Sequence, residues 1–227
     1  MPLGSPAFTA VVFDMDGLLL DSERPTRDAW LHTAAALGVR LSESDYLSVV
    51  GLNHIDSNAR LLTLFGGDAT LLATARTLAD AMLANGAPFE PKAGARRLLR
   101  ALSNARIPCA VASSTHHAEV CRRLQRAGLL EHFAAICGGD EVVRGKPSPD
   151  LYTLALARLN VAAHTAIAFE DSGHGVQAAL AAGLVTVAVP DLKAPAPEWL
   201  ARCHAVLPSL AAACEHCPDW FGVICAR

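Results

Sequence analysis

The sequence predicts an α/β fold, a parallel sheet covered by helices on both faces, with an all-helical insertion after the first strand. Three observations predict it. Short apolar runs recur at residues 9–13, 107–112, 134–137, 165–169 and 185–189, each of a length that suits a buried strand. Helical patterns fill the intervals between the later runs, and such alternation calls for parallel strands joined by crossover helices. Between residues 20 and 107 the alternation stops and helical patterns follow one another with no strand among them.

Taken in order, the run at 9–13 ends in acids and reads as a strand with a loop at its carboxyl end. The insertion, residues 22–88, carries three helical stripes: Trp30, Thr33 and Leu37; then Ile55, Ala59, Leu62 and Phe65; then Leu71, Ala75, Leu78 and Met82. Asn85-Gly86-Ala87-Pro88 and Pro91 mark the return to the core. Helices are expected over 93–105 and over 116–127, the latter closed by Gly128. Ser148 reads as an N-cap with Pro149 at the first helical position, leading into a helix over 150–159. An Ala-rich helix over 175–182 stops at Gly183.

Composition narrows the function classes. The chain has 227 residues, 52% of them hydrophobic, enough for a buried core and one attached smaller domain. A formal charge of −3, from 19 basic and 22 acidic residues, offers no footprint for nucleic acid or an anionic membrane. No apolar run approaches the roughly 20 residues of a membrane helix, and the first residues have neither a basic start nor an apolar core of a leader. A cytoplasmic location is the expectation, and a monomer or weak dimer. Seven scattered cysteines do not form a disulfide framework. Cys203-His204 and Cys214-Glu215-His216-Cys217 could offer zinc ligands, but their spacing is irregular.

Four short segments carry the chemistry. Phe13-Asp14-Met15-Asp16-Gly17 puts two carboxylates at the end of a buried strand, which is costly unless a cation compensates them. Val111-Ala112-Ser113-Ser114-Thr115 runs a strand into hydroxyls. Gly145-Lys146-Pro147 supplies one of only three lysines, and Phe169-Glu170-Asp171-Ser172-Gly173 supplies two more acids. Singly, each has an ordinary reading: a turn, an N-cap cluster, a solvated loop charge, acids at a helix start. Together they differ, because the strands of a parallel sheet share one carboxyl edge. Asp14, Asp16, Ser113, Lys146, Glu170 and Asp171 would converge there. Acids with one lysine and hydroxyls suit a hard divalent cation and a phosphate.

With those four segments in that order, the sequence resembles the haloacid dehalogenase superfamily, in particular the helical-cap branch that includes β-phosphoglucomutases and many sugar-phosphate and nucleotide phosphatases. The resemblance covers nearly the whole chain. It implies a Rossmann-like three-layer core over residues 1–21 and 89–227, with a cap domain over 22–88. It implies that Asp14 attacks phosphorus and that Asp16 acts as general acid, then as base. Ser113, Ser114 and Lys146 would hold the phosphoryl group, and His54 in the cap would meet the substrate. Mg²⁺ would be held by Asp14, the Asp16 backbone carbonyl and Asp171, with Glu170 bound directly or through water. The substrate would be a small phosphate monoester.

Rivals differ in specific residues. Dehalogenases need no acid at position 16. Phosphonate hydrolases of similar type carry a Schiff-base lysine in the cap, whereas residues 22–90 contain no lysine. Phospho-receiver domains gather similar groups but are shorter and lack a cap. The β-phosphoglucomutases are the nearest alternative. Their cap histidine aligns with Thr26 and their cap arginine with His54, so the sequence favours hydrolysis over a mutase reaction. Arg24, Arg27 and Arg60 are further cap cations that could face site or solvent.

Overall fold

The computed structural model describes residues 7–52 and 54–225, and the side chains of all of these but residues 54 and 55. Strands β1 (Ala10–Phe13), β2 (Cys109–Ala112), β3 (Ala135–Cys137), β4 (Ala166–Glu170), β5 (Val185–Ala188) and β6 (Ala205–Val206) form one sheet in the order β3-β2-β1-β4-β5-β6. Every pairing is parallel. The site strands β1 and β4 are neighbours, in register from Ala10 opposite Ala166 to Phe13 opposite Phe169.

Alternation along the strands builds two cores. Val11, Phe13, Val111, Ile167 and Phe169 face helices α5 (Ala95–Asn104), α6 (His117–Arg126) and α10 (Leu210–Phe221). Ala10, Val12, Ala110, Ala112 and Ala168 face α7 (Asp150–Leu159) and α8 (Gly173–Ala181). The first face is bulky and the second mostly alanine, so α7 and α8 approach the sheet closely where the acids and Lys146 must meet. The expected helix over 150–159 is observed with those bounds, but Pro149 rather than Ser148 is its N-cap. The Ser148 hydroxyl instead donates to the Asp150 carboxylate at 2.7 Å.

Helices α1 (Glu23–Ala36), α2 (Glu43–Leu47), α3 (His54–Leu64) and α4 (Ala69–Asn85) lie between β1 and β2 and share a separate apolar cluster that includes Trp30, Tyr46, Phe65 and Leu72. Two of the expected stripes are displaced. Among the described side chains of α3 the buried one is Leu61, with Ala59 exposed and Phe65 buried just beyond the helix, while the side chain of Ile55, the first member of the expected stripe, lies outside the described residues. In α4 the buried face is Leu72, Ala75 and Ala79, while Leu78 and Met82 are 44% and 43% exposed. Both sets in α4 have helical spacing, so hydrophobicity could not choose between them. The small Ala75 and Ala79 allow the close approach to Ala29 and Ala34 of α1 within the same cluster. The two chain segments entering and leaving this region run side by side: Asp21 donates its N–H to the Glu90 carbonyl at 2.8 Å, and Lys92 to that of Leu19 at 2.9 Å.

Helices α2 and α9 (Pro197–Leu200) have no reading of their own in the sequence, and two further elements were not legible as such. Strand β6 is two residues long. Helix α10 has Pro218 inside it and a polar Glu215-His216 pair, yet it buries Leu210, Ala213, Cys214, Cys217, Trp220 and Phe221 along one stripe. Cys214 and Cys217 are thus core residues of a helix. Among the described residues no group of three ligand side chains forms around them.

Candidate active site

Asp14 follows β1 directly, and its N–H bonds the Phe169 carbonyl of β4 at 3.1 Å, which seats it at the sheet edge beside Glu170. Glu170, the last residue of β4, is fully buried. Asp171 follows it. One oxygen from each of Asp14, Glu170 and Asp171 lies within 4.8 Å of the others. Lys146, delivered by the loop before α7, donates to Asp14 Oδ1 at 2.5 Å and to Glu170 Oε1 at 2.6 Å. Tyr152 of α7 donates its hydroxyl to the same Glu170 oxygen at 2.6 Å, and the Ser172 hydroxyl reaches Glu170 Oε2 at 3.2 Å.

The electrostatics follow from three acids sharing one ammonium. Burial pushes the Asp14 carboxyl well above the usual carboxylate range; Lys146 opposes that and Glu170 adds to it. Asp171 is pushed the same way by burial and by its neighbours Asp14 and Glu170. For Lys146, burial works against the charged form, but the Asp14 and Glu170 carboxylates outweigh it and hold the ammonium protonated. Asp171 takes no hydrogen bond or ion pair from the described residues. Three hard oxygen donors with one cation bonded to them among the described residues fit a divalent ion.

Two glycines make the crowding possible. Gly17 has φ +83°, and a Cβ there would stand 2.4 Å from Asp171 Oδ2. Gly175, in the first turn of α8, passes directly over Glu170, where a Cβ would come within 1.9 Å of its carboxyl.

Ser113 and Asp16 line a cavity of about 370 Å³ together with Asp14 and Asp171. Ser113 is buried after β2; its N–H bonds the Cys137 carbonyl, and its Oγ accepts from the Thr115 N–H. Ser114 also lines the cavity, as do Asp16 and Lys146. The Asp16 carboxylate does not join the cluster of three acids. It bonds Thr115 Oγ1 at 2.9 Å and Arg123 Nη1 at 2.8 Å. His54 begins α3, and its side chain lies outside the described residues. Thr26 turns its hydroxyl back to the Ser22 carbonyl at 2.7 Å.

Several site residues carried no sequence signal of their own. Tyr152 stands among the apolar residues of α7 and Arg123 among the cations of α6, and no motif marks either. Glu23 opens α1 and lines the cavity. Burial, then repulsion from Asp16 and Asp191, pushes its carboxyl up to about 7. Its place just after Asp21-Ser22, at the entry to the helical insertion, was the one available hint.

A model of haloacid dehalogenase-like hydrolases matches residues 8–183, which include all four motif segments. The chain belongs to that family. The hydrolase is 33% identical over 176 residues to the phosphorylated carbohydrates phosphatase of Thermotoga maritima, covering 77% of this chain and 82% of the relative. It is 29% identical over 189 residues to the β-phosphoglucomutase of Bacillus subtilis, covering 79% and 82% of the two chains. Among solved structures, a HAD family hydrolase from Deinococcus radiodurans R1, crystallised with phosphate and sodium, superposes on the hydrolase with a TM-score of 0.81. The two are 27% identical, and the match covers 98% of this chain and 100% of that one. The six-stranded parallel sheet with helices on both faces is thus the family's Rossmann-like core. No helix among the described residues is long and apolar enough to cross a membrane.

Proposed function

We propose that this hydrolase is a Mg²⁺-dependent phosphatase that cleaves a small phosphate monoester, of a sugar, polyol or nucleotide, through an aspartyl phosphate on Asp14. Family membership and phosphatase-named relatives make it a phosphoric monoester hydrolase. The observation that carries the mechanism is the cluster of Asp14, Glu170 and Asp171 around Lys146 at the carboxyl edge of β1 and β4.

When bound, Mg²⁺ would be held by Asp14, Asp171, the Asp16 backbone carbonyl and Glu170, and would offset the repulsion between an anionic nucleophile and an anionic substrate. The protein's own groups supply the rest. A carboxylate oxygen of Asp14 forms a bond to phosphorus as the bond to the ester oxygen breaks. Asp16 gives its proton to that leaving oxygen. Asp16 then takes a proton from water, whose oxygen attacks phosphorus, and the bond between Asp14 and phosphorus breaks to release phosphate. Lys146 and the Ser113 and Ser114 hydroxyls hold the phosphoryl oxygens. Residues 22–88 act as a cap that opens and closes over the cavity, hinged near the paired segments at Asp21 and Glu90.

Hydrolysis is favoured over a mutase reaction because Thr26 directs its hydroxyl to its own helix and does not line the cavity. A mutase must shield its aspartyl phosphate from water through specific cap contacts.

The test is a screen of phosphorylated sugars, polyols and nucleotides with Mg²⁺, reading free phosphate. Activity should vanish with EDTA, return with Mg²⁺ and fall with Ca²⁺, whose looser shell misplaces the reacting groups. Full activity in metal-free buffer would refute the metal role. β-Glucose 1-phosphate with catalytic glucose 1,6-bisphosphate separates the alternatives: glucose 6-phosphate formed with little free phosphate would mean a mutase. Hydrogen exchange with and without a fluoride phosphate mimic checks the cap; no change in residues 22–88 would rule out closure.

A further inference from the structure

Both oxygens of the Asp16 carboxylate are occupied from one side. Arg123 Nη1 donates to Oδ1 at 2.8 Å and the Thr115 hydroxyl to Oδ2 at 2.9 Å. The Arg123 and Asp16 side chains are each only 21% exposed, so the pair sits largely out of water. Arg123 is itself braced twice. Its Nε bonds Glu119 Oε1 at 2.7 Å one turn earlier on α6. Its guanidinium lies 5.1 Å from the centroid of the Phe89 ring, on the segment by which the chain returns from the helical insertion.

A carboxylate held this way is confined to one rotamer and cannot turn toward a new partner without releasing at least one charge-assisted or hydroxyl bond. The planar guanidinium serves both acids at once, Glu119 through Nε and Asp16 through Nη1, so its orientation is fixed before Asp16 is engaged. Phe89 stacks on that same guanidinium. Movement of the return segment therefore bears directly on the group that holds Asp16. The Asp14 cluster has a cation of its own in Lys146, which bonds Asp14 and Glu170 and not Asp16.

We propose that Arg123 is a positioning residue for Asp16: with Thr115 it sets the rest orientation of that carboxylate, and through Phe89 it links release of Asp16 to movement of the return segment. The proposal rests on the reading of Asp16 as general acid and base, and goes beyond it by naming what aims that group. Arg123 does not touch the substrate in this scheme, so it acts on turnover and not on binding.

The experiment is a double-mutant cycle with p-nitrophenyl phosphate and Mg²⁺, using the intact protein, Arg123→Met, Asp16→Asn and the double variant. Arg123→Met should lower kcat about tenfold, the scale of a modest misplacement of a catalytic group, with KM within about twofold. In the Asp16→Asn background the same change should cost less than about twofold, since the group it aims is gone. Arg123→Lys should recover part of the loss, and Phe89→Leu should reproduce part of it only when Asp16 is present. Should Arg123→Met fail to fold, Thr115→Val run through the same cycle tests the hold on the other oxygen. Equal losses in both backgrounds would overturn the proposal by making Arg123 merely structural, as would an unchanged kcat in the intact background. Normal turnover by Asp16→Asn alone would instead remove the reading of Asp16 on which the proposal rests.

Discussion

Gly175 lies so close over Glu170 that a Cβ at position 175 would come within 1.9 Å of the carboxyl. Glu170 is not free to give way, because it is fully buried and tied to Lys146 and Tyr152. Gly175→Ala should therefore cost about 1–3 kcal/mol, the usual scale of overpacking. It should also weaken Mg²⁺-supported turnover by displacing an acid of the cluster. Urea unfolding and a Mg²⁺ titration of activity check both effects; an unchanged midpoint would mean that Glu170 has room to move.

Lys146 is the cation on which two buried acids depend. Lys146→Met leaves Asp14 and Glu170 uncompensated and should destabilise the fold by about 3–5 kcal/mol near neutral pH. The sign of the pH dependence follows from Asp14, whose carboxyl is already raised by burial. The folded state holds that proton more tightly than the unfolded chain does. The penalty is thus absent below the ordinary carboxylate range and grows as pH rises through it. Unfolding of the variant at about pH 5 and about pH 7.5 should show it closer to the parent protein at the lower pH. A gap independent of pH would contradict the assignment.

Asp14→Asn should reduce phosphate release to background while the fold survives. The amide is no nucleophile and a poorer metal ligand, but it fits the same space beside Lys146. Near-normal phosphate release by purified, folded Asp14→Asn would refute covalent catalysis at this residue.

Glu141 marks a second pH-sensitive point, away from the chemistry. Its bond from Arg158 at 2.7 Å, with further bonds from the Gly138 N–H and His117, lowers its carboxyl from 4.5 to about 2 against the opposing effect of burial. A lowered folded value means stability that is fully present above about 4.5 and lost as pH falls toward about 2. With Glu141 partly exposed and screened, that contribution is about 1–2 kcal/mol. Glu141→Gln should flatten this part of the acid unfolding curve. A curve of unchanged shape would show that the clamp contributes nothing.

Much of this molecule was legible in the amino-acid order, because much of it depends on local periodicity. Five of the strands, the helices α5 to α8 and the long helical interval after β1 all follow from apolar spacing, glycines and prolines. The convergence of Asp14, Ser113, Lys146, Glu170 and Asp171 followed from one further rule, that parallel strands share a carboxyl edge. Only the packed structure decided which neighbours of Ala75 turn inward in α4: Leu72 and Ala79 are buried with it, and Leu78 and Met82, expected beside it, are exposed. It alone placed Cys214 and Cys217 in the buried stripe of α10. It alone brought Arg123 to Asp16 across 107 residues of chain. Periodicity is a property of neighbours along the chain, whereas a hydrogen bond between distant side chains depends on where whole elements come to rest, and no local pattern encodes that.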